Sequence, residues 1–246
     1  MTAPHWLSLG LVTALLIQGI KAKGEADPFA EPKASAPDAG GMRELDHLVP
    51  VDPYPGDWSV RYSDKLRKLF VLEPPFSFRM LVRPSFSAEY VVSMINNPED
   101  PGDSNNANKL IIKYSIADKS IWYSMPENNE EKKEKAVTVD SKFVEFPKAQ
   151  GTRLYKIWNR MLRQTRYPEG YGDGGLDGTT YEFSTWCAYG EVWSPTARKS
   201  PLLFIELGES LIAYCKATDE ERVSAMKNIE AKAAKLEKYL DQHASK

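Results

Sequence analysis

The feature that most constrains this fold is a change of hydrophobic period partway along the chain. Up to Phe146 apolar and polar residues alternate, the period of strands with one buried face. Phe78, Met80 and Val82 share a face, and so do Leu110, Ile112, Tyr114 and Ile116. Ala88 to Ile95 suits a helix or a strand on spacing alone, and its Tyr-Val-Val core favours the strand. After Ala117-Asp118-Lys119-Ser120, the stretch Ile121–Met125 predicts the returning arm of a hairpin, and Val137–Phe146 another extended piece. Asn96–Asn108 and Pro126–Lys135 read as exposed polar loops. The expectation is an antiparallel meander of about five strands.

From Leu154 the period lengthens. Leu154, Ile157, Trp158, Met161 and Leu162 form one stripe of an amphipathic helix. A strand pair follows: Thr179–Cys187 sets Tyr181, Phe183, Thr185 and Cys187 on one side, and Gly190–Trp193 is expected to pair back on it. Ser200-Pro201 predicts a helix start with Ser at N-cap and Pro at N1. The helix from there to Lys216 puts Phe204, Leu207, Leu211, Ile212 and Cys215 on one face. Thr218–Glu221 is a capping box, and Met226, Ile229, Ala233, Leu236 and Leu240 give the last helix its seam. That seam is too short to argue a coiled coil, so it is expected to pack on the domain. Strands first and helices after define an α+β class: a meander and a C-terminal strand pair, packed by three or more helices.

The N-terminus has a different character. Leu7 to Ile20 is an uncharged run of 14 residues, the length of a signal-peptide core and short of the roughly 20 that span a bilayer. Small residues at Ala22 or Ala26 suit cleavage, although Met1–Trp6 carries no Lys or Arg. Residues 1–22 are therefore expected to be a signal peptide, with an uncleaved anchor as the alternative, and membrane contact is expected only there. Residues 23–57 hold eight acids against three bases and are rich in Pro, Ala and Gly. Such a segment buries too little apolar surface to offset its ordering entropy, so it reads as a disordered linker before a single domain over 58–246. An exported chain, periplasmic or extracellular, with two cysteines suggests one disulfide, Cys187–Cys215. Its loop of about 28 residues would stabilise by about 3 kcal/mol.

The chemistry is limited by what residue types the domain holds. The three histidines are His5 in the signal, His47 in the linker and His243 near the C-terminus. A Ser-His-Asp or Cys-His arrangement needs an imidazole beside the nucleophile, and catalytic zinc draws on histidine too. No metal site and no cofactor are expected. The glycine-rich stretch Tyr171–Thr180 leads from a helix into a strand, the reverse of a phosphate loop, and lacks a Gly-Lys-Ser/Thr ending. As a calcium loop it offers Asp173, Asp177 and Gly178, with Gly175 and Ser184 where ligands belong. A plain multi-glycine turn explains it better. The remaining route to catalysis is a carboxylate couple drawn from Asp177, Glu182 and Glu191, as in glycoside hydrolysis, with Trp186 beside Glu182.

Formal net charge is −2, so no global field favours polyanions, and nucleic acid is not an expected partner. Charge is concentrated locally. Lys148 to Arg166 holds six bases and no acid, and Arg153, Lys156, Arg160 and Arg163 line the side opposite the apolar stripe. That face would suit an anionic envelope component or an acidic protein surface; its plain alternative is a solvated helix face met by the chain's own acidic linker. The functional expectation is an exported, non-catalytic interaction protein, such as an inhibitor, an immunity-type or an envelope accessory factor. The alternatives are a carboxylate-dependent hydrolase of envelope polysaccharide, or a small-ligand binder with a pocket between the meander and the helix of Trp158.

Overall fold

The structure, a computed structural model, describes residues 45–51, 57–72, 76–95, 109–126, 135–167 and 177–243, all within the unit Met42–Lys246. The expected signal peptide, most of the expected linker, the greater part of the two polar loops and Tyr171–Leu176 of the glycine-rich turn lie outside the described residues.

Helix α1 (Asp57–Phe70) comes first, then strands β1 (Phe76–Pro84), β2 (Tyr90–Ile95), β3 (Lys109–Ala117) and β4 (Val139–Pro147). Helix α2 (Lys148–Leu162), strands β5 (Thr179–Thr185) and β6 (Tyr189–Trp193), and helices α3 (Ser200–Lys216) and α4 (Arg222–His243) follow. The strands form one antiparallel sheet in the order β4-β3-β2-β1-β5-β6. The α+β class, the meander and the C-terminal strand pair are present as the periods predicted. Helix α2 leads the chain from β4 to β5, which joins the sheet beside β1.

Each face of the sheet buries its own core. On one face Met80, Val92, Ile112, Val144 and Phe183 meet α2, α3 and α4. Trp158 stacks 4.3 Å from Phe78 and meets Phe204 edge-on at 4.4 Å, while Phe204 stacks on Phe183 at 4.0 Å. The space that the sequence suggested for a ligand pocket beside Trp158 is thus filled by these rings. Truncating a core ring of this kind costs about 3–5 kcal/mol. Helix α3 comes so near the sheet that a Cβ on Gly208 would meet the Met80 thioether, which would have to move aside.

On the other face Leu81, Val91 and Ala117 pack beneath Tyr62, Leu66 and Phe70 of α1. These three recur every fourth residue, a helical stripe in a stretch left unassigned by the strand periodicity. The helix closes with a Leu72 N–H bond to Arg67 O at 3.1 Å, and Val71 takes the left-handed position with φ 53°.

Four expectations are corrected. Ile121–Met125 is not a strand: Trp122–Ser124 forms a 3₁₀ turn, and β4 is the partner of β3. The cause is Glu89, whose fully buried carboxylate accepts the N–H of Ile121 at 2.7 Å and of Trp122 at 3.1 Å, together with Tyr62 Oη–H at 2.8 Å. Secondly, the domain starts before residue 58. Leu48 has no exposed surface, and Val49 exchanges both backbone hydrogen bonds with Glu191 of β6, at 2.9 and 2.8 Å. Thirdly, there is no disulfide. Cys215 is buried on the sheet-facing side of α3, its thiol facing Ile112 O at 4.0 Å, whereas Cys187 is exposed in the β5–β6 turn. Burial pushes the Cys215 thiol up to about 12. The start of α3 is also displaced by one residue: Lys199 is the N-cap, and Ser200 Oγ instead donates to Asp46 O.

Candidate functional site

The basic side of α2 is largely used within the domain. Arg153 donates through Nε and Nη2 to the two carboxylate oxygens of Glu237 on α4, and Arg160 Nη1 meets Asp241 Oδ1 at 2.6 Å. Bidentate guanidinium–carboxylate contact explains the choice of arginine here, and it aligns α4 along α2. Arg166 binds Asp46 at 3.1 Å. Of the four expected binding residues, Lys156 and Arg163 are exposed and form no ion pair among the described residues.

The C-terminal end of α2 abuts β6. A Cβ on Gly190 would sit 2.7 Å from Thr165 Oγ1 and 3.0 Å from Leu48 Cβ, so a side chain there would drive the three segments apart. Exposed aromatic residues stand near this junction in the chain. Tyr189, beside Gly190, is 50% exposed; Trp186 in the β5–β6 turn is 68% exposed; Tyr167, just past Thr165, is 62% exposed. Arg163 stands on the same end of the helix.

The proposed carboxylates are divided. Glu182 and Glu191 are direct cross-strand partners on the α1 face, which sets their Cβ atoms about 4.5–5.5 Å apart. Two like charges so placed repel, and β1 supplies the compensation: Arg79 Nη2 lies 3.2 Å from Glu182, and Arg83 Nη2 lies 2.7 Å from Glu191. Arg79 is itself held by Leu72 O and by the Phe76 ring, 4.8 Å from its guanidinium. The result is a largely buried quartet of alternating charge. Asp177 is exposed at the far end of β5, five residues before Glu182 and roughly 16 Å away along an extended strand.

Two clusters were not legible in the sequence. His47, expected in the linker, belongs to the domain and is only 6% exposed. Its Nδ1 is 2.6 Å from Asp46 Oδ1, while Nε2 is buried and without a hydrogen-bond partner. The His47 hydrogen bond holds the Asp46 carboxyl below its ordinary range. Among the described residues no hydroxyl reaches Nε2, and the segment 45–51 is tied to the domain by Arg166 and Ser200 on Asp46 and by the Val49–Glu191 bridge. The second cluster lies between α3 and the sheet. Glu209 accepts a hydrogen bond from Tyr90 Oη at 2.9 Å, and burial raises its carboxyl above the usual range. Burial and the Glu209 charge together raise the hydroxyl of Tyr181, and Lys216 Nζ lies 4.7 Å over the Tyr114 ring. The helical and strand periods mark Tyr181 and Tyr114 as inward-facing but cannot bring α3 over them.

Among the described residues no group of three or more His, Cys, Asp or Glu side chains is placed to hold a metal, and no helix is long and apolar enough to cross a membrane. Comparison with protein-family models, with curated proteins and with solved structures finds no match.

Proposed function

We propose that this chain is an exported protein that acts by binding, without catalysis, to another protein or to an anionic component of the cell envelope. The observation that carries this reading is the exposure of Trp186 and Tyr189 at the β5–β6 turn, of Tyr167 past the end of α2, and of Arg163, which forms no ion pair among the described residues. Trp, Tyr and Arg are the side chains that concentrate binding energy at interfaces, Trp and Tyr because they cover much area while ordering few torsions and Arg because its planar fork makes several directed hydrogen bonds. The quartet of Arg79, Arg83, Glu182 and Glu191 supports the turn from below by fixing β5 and β6 to β1. Export rests on the uncharged Leu7–Ile20 run and the acidic, proline-rich segment after it.

The test is a capture from envelope extract with two baits, the natural chain and Trp186→Ala with Arg163→Glu. One component retained in stoichiometric amount by the first bait and lost from the second, at unchanged thermal stability, supports the proposal. Equal retention by both removes this surface from the reading. Export is checked separately by N-terminal sequencing of the chain recovered outside the cytoplasm.

The adjacency of Glu182 and Glu191 favours a second reading, a carboxylate-dependent hydrolase of envelope polysaccharide. Turnover of an envelope glycan that Glu191→Gln abolishes would establish it.

A further inference from the structure

We propose that two copies of this chain pair through β4, antiparallel, about a two-fold axis at Ser141, joining two six-stranded sheets into one. The inference is independent of the α2–β6 surface and starts from which backbone groups of β4 are free.

In an antiparallel pair, residues alternate between those that exchange both backbone hydrogen bonds with the neighbour and those whose N–H and C=O point away. The phase on β4 is fixed by one bond at its start: Asp118 N–H donates to Thr138 O at 3.0 Å. The ladder continues Ala117↔Val139, Ile116↔Asp140, Ser115↔Ser141. Asp140, Lys142 and Val144 therefore bond to β3, and Val139, Ser141, Phe143 and Glu145 turn their N–H and C=O outward. The phase on β3 agrees, since Ala117 N–H donates the other way, to Glu89 O ahead of β2, at 3.0 Å. One outward carbonyl is capped: Tyr214 Oη of α3 donates to Glu145 O at 3.2 Å. Among the described residues no strand pairs with the outer side of β4. The open stretch is thus Val139–Phe143, whose Phe143 ring is 58% exposed.

That stretch complements itself. With the axis at Ser141, Ser141 faces Ser141 of the second copy and Val139 faces Phe143, all outward-bonding positions that exchange two hydrogen bonds per residue pair. Between them Asp140 faces Lys142 twice, at the closer, non-hydrogen-bonded positions. Asp140 has no ion pair among the described residues, and the Lys142 ammonium touches only Lys216 O, at 3.4 Å. Neighbouring registers are worse. An axis at Lys142 opposes two lysines, and an axis at Phe143 needs the Glu145 carbonyl that Tyr214 already holds. Unpaired edges of this length are templates for strand addition unless covered, and this one matches its own sequence.

The experiment uses the chain with exposed Cys187 changed to Ala. In Ser141→Cys the paired Cα atoms would be about 5.5 Å apart, within disulfide range. Glu145→Cys is the control, because its copies would lie roughly 26 Å apart in this register. Expected are rapid oxidation of Ser141→Cys to a covalent dimer, none for Glu145→Cys, and a concentration-dependent dimer of the natural chain by light scattering. Lys142→Glu should weaken that dimer at least tenfold, and adding Asp140→Lys should restore it by exchanging the two charges. A natural chain that stays monomeric at ~100 μM, or a Glu145→Cys that cross-links as fast as Ser141→Cys, overturns the proposal. Should a variant lose its fold, amide exchange on the natural chain decides: Ser141 and Phe143 N–H must become protected as concentration rises, and unchanged rates overturn the pairing.

Discussion

The two edges of the sheet are treated in opposite ways. At β6 the chain's own segment 45–51 closes the edge: Val49 and Glu191 exchange two backbone bonds, Leu48 is buried, Arg166 N–H donates to Leu48 O at 3.1 Å, and Asp46 and His47 brace the outside. At β4, among the described residues, the edge is managed only by side chains: Asp140 and Lys142 flank Ser141, Phe143 is exposed, and Tyr214 caps one carbonyl. Both edges present the same backbone chemistry. What differs is whether apolar side chains are available to hold a covering strand, since a single bridge of two hydrogen bonds contributes only about 1–3 kcal/mol. Leu48 makes the β6 cover persist. Nothing equivalent covers β4 among the described residues, which leaves it to a partner.

The largest expected effect tests that difference directly. Leu48→Ala should lower stability by about 3 kcal/mol in urea unfolding, whereas Phe143→Ala should change it by no more than about 0.5 kcal/mol in dilute protein. Equal losses would break the comparison. Amide exchange gives the same contrast without mutation. The N–H groups of Val49 and Glu191 should be protected, while those of Ser141 and Phe143 exchange freely at low concentration. Protection of all four would mean that β4 is covered too.

A smaller effect sharpens the account of how segment 45–51 is held. The folded contacts depress the Asp46 carboxyl, so their stabilisation is fully present above the ordinary aspartate range and is lost as pH falls through the lowered folded value. The Asp46 side chain is 54% exposed, so solvent screens the pair and Asp46→Asn should cost on the order of 0.2–1 kcal/mol at pH 7. In unfolding measured as a pH series, the gap from the natural chain should close in acid. A gap that widens there would show that the contact opposes folding. The smallest effect concerns thiols. A thiol reagent should label Cys187 in the folded protein and Cys215 only on unfolding, which would show that the β5–β6 turn is open while the core between α3 and β3 is closed. Labelling of both at one rate would contradict the burial of Cys215.

Much of this was readable in advance, and the failures share a cause. Phe78, Met80 and Val82, Leu110 to Ile116, and Leu154 to Leu162 announced β1, β3 and α2 because the apolar residues of the main core recur with the period of the element, even in β1, whose other face is also buried under α1. The capping box of Thr218 and Glu221 is local and formed as read, with Thr218 N–H donating to Glu221 Oε2 at 3.0 Å. Ile121–Met125 was misread because Glu89, distant in sequence, decides its conformation. Leu48 was misread because composition averages over a segment, and one buried leucine is invisible in the average. At the candidate sites the sequence located the basic run and the acids but not their partners. Arg153 and Arg160 meet Glu237 and Asp241 about 80 residues on, a separation no local pattern records.

What the sequence determined alone is the class and the order of most elements, α1 and the turn after β3 excepted, since periods of two and 3.6 are properties of neighbouring residues. Only the tertiary structure decided that Cys187 and Cys215 stay apart, that Glu182 and Glu191 sit side by side, that α2 spends half its charge on α4, and that one edge of the sheet is closed and the other open. Each of these depends on which residues meet across the sheet, and that follows from packing between segments far apart in the chain.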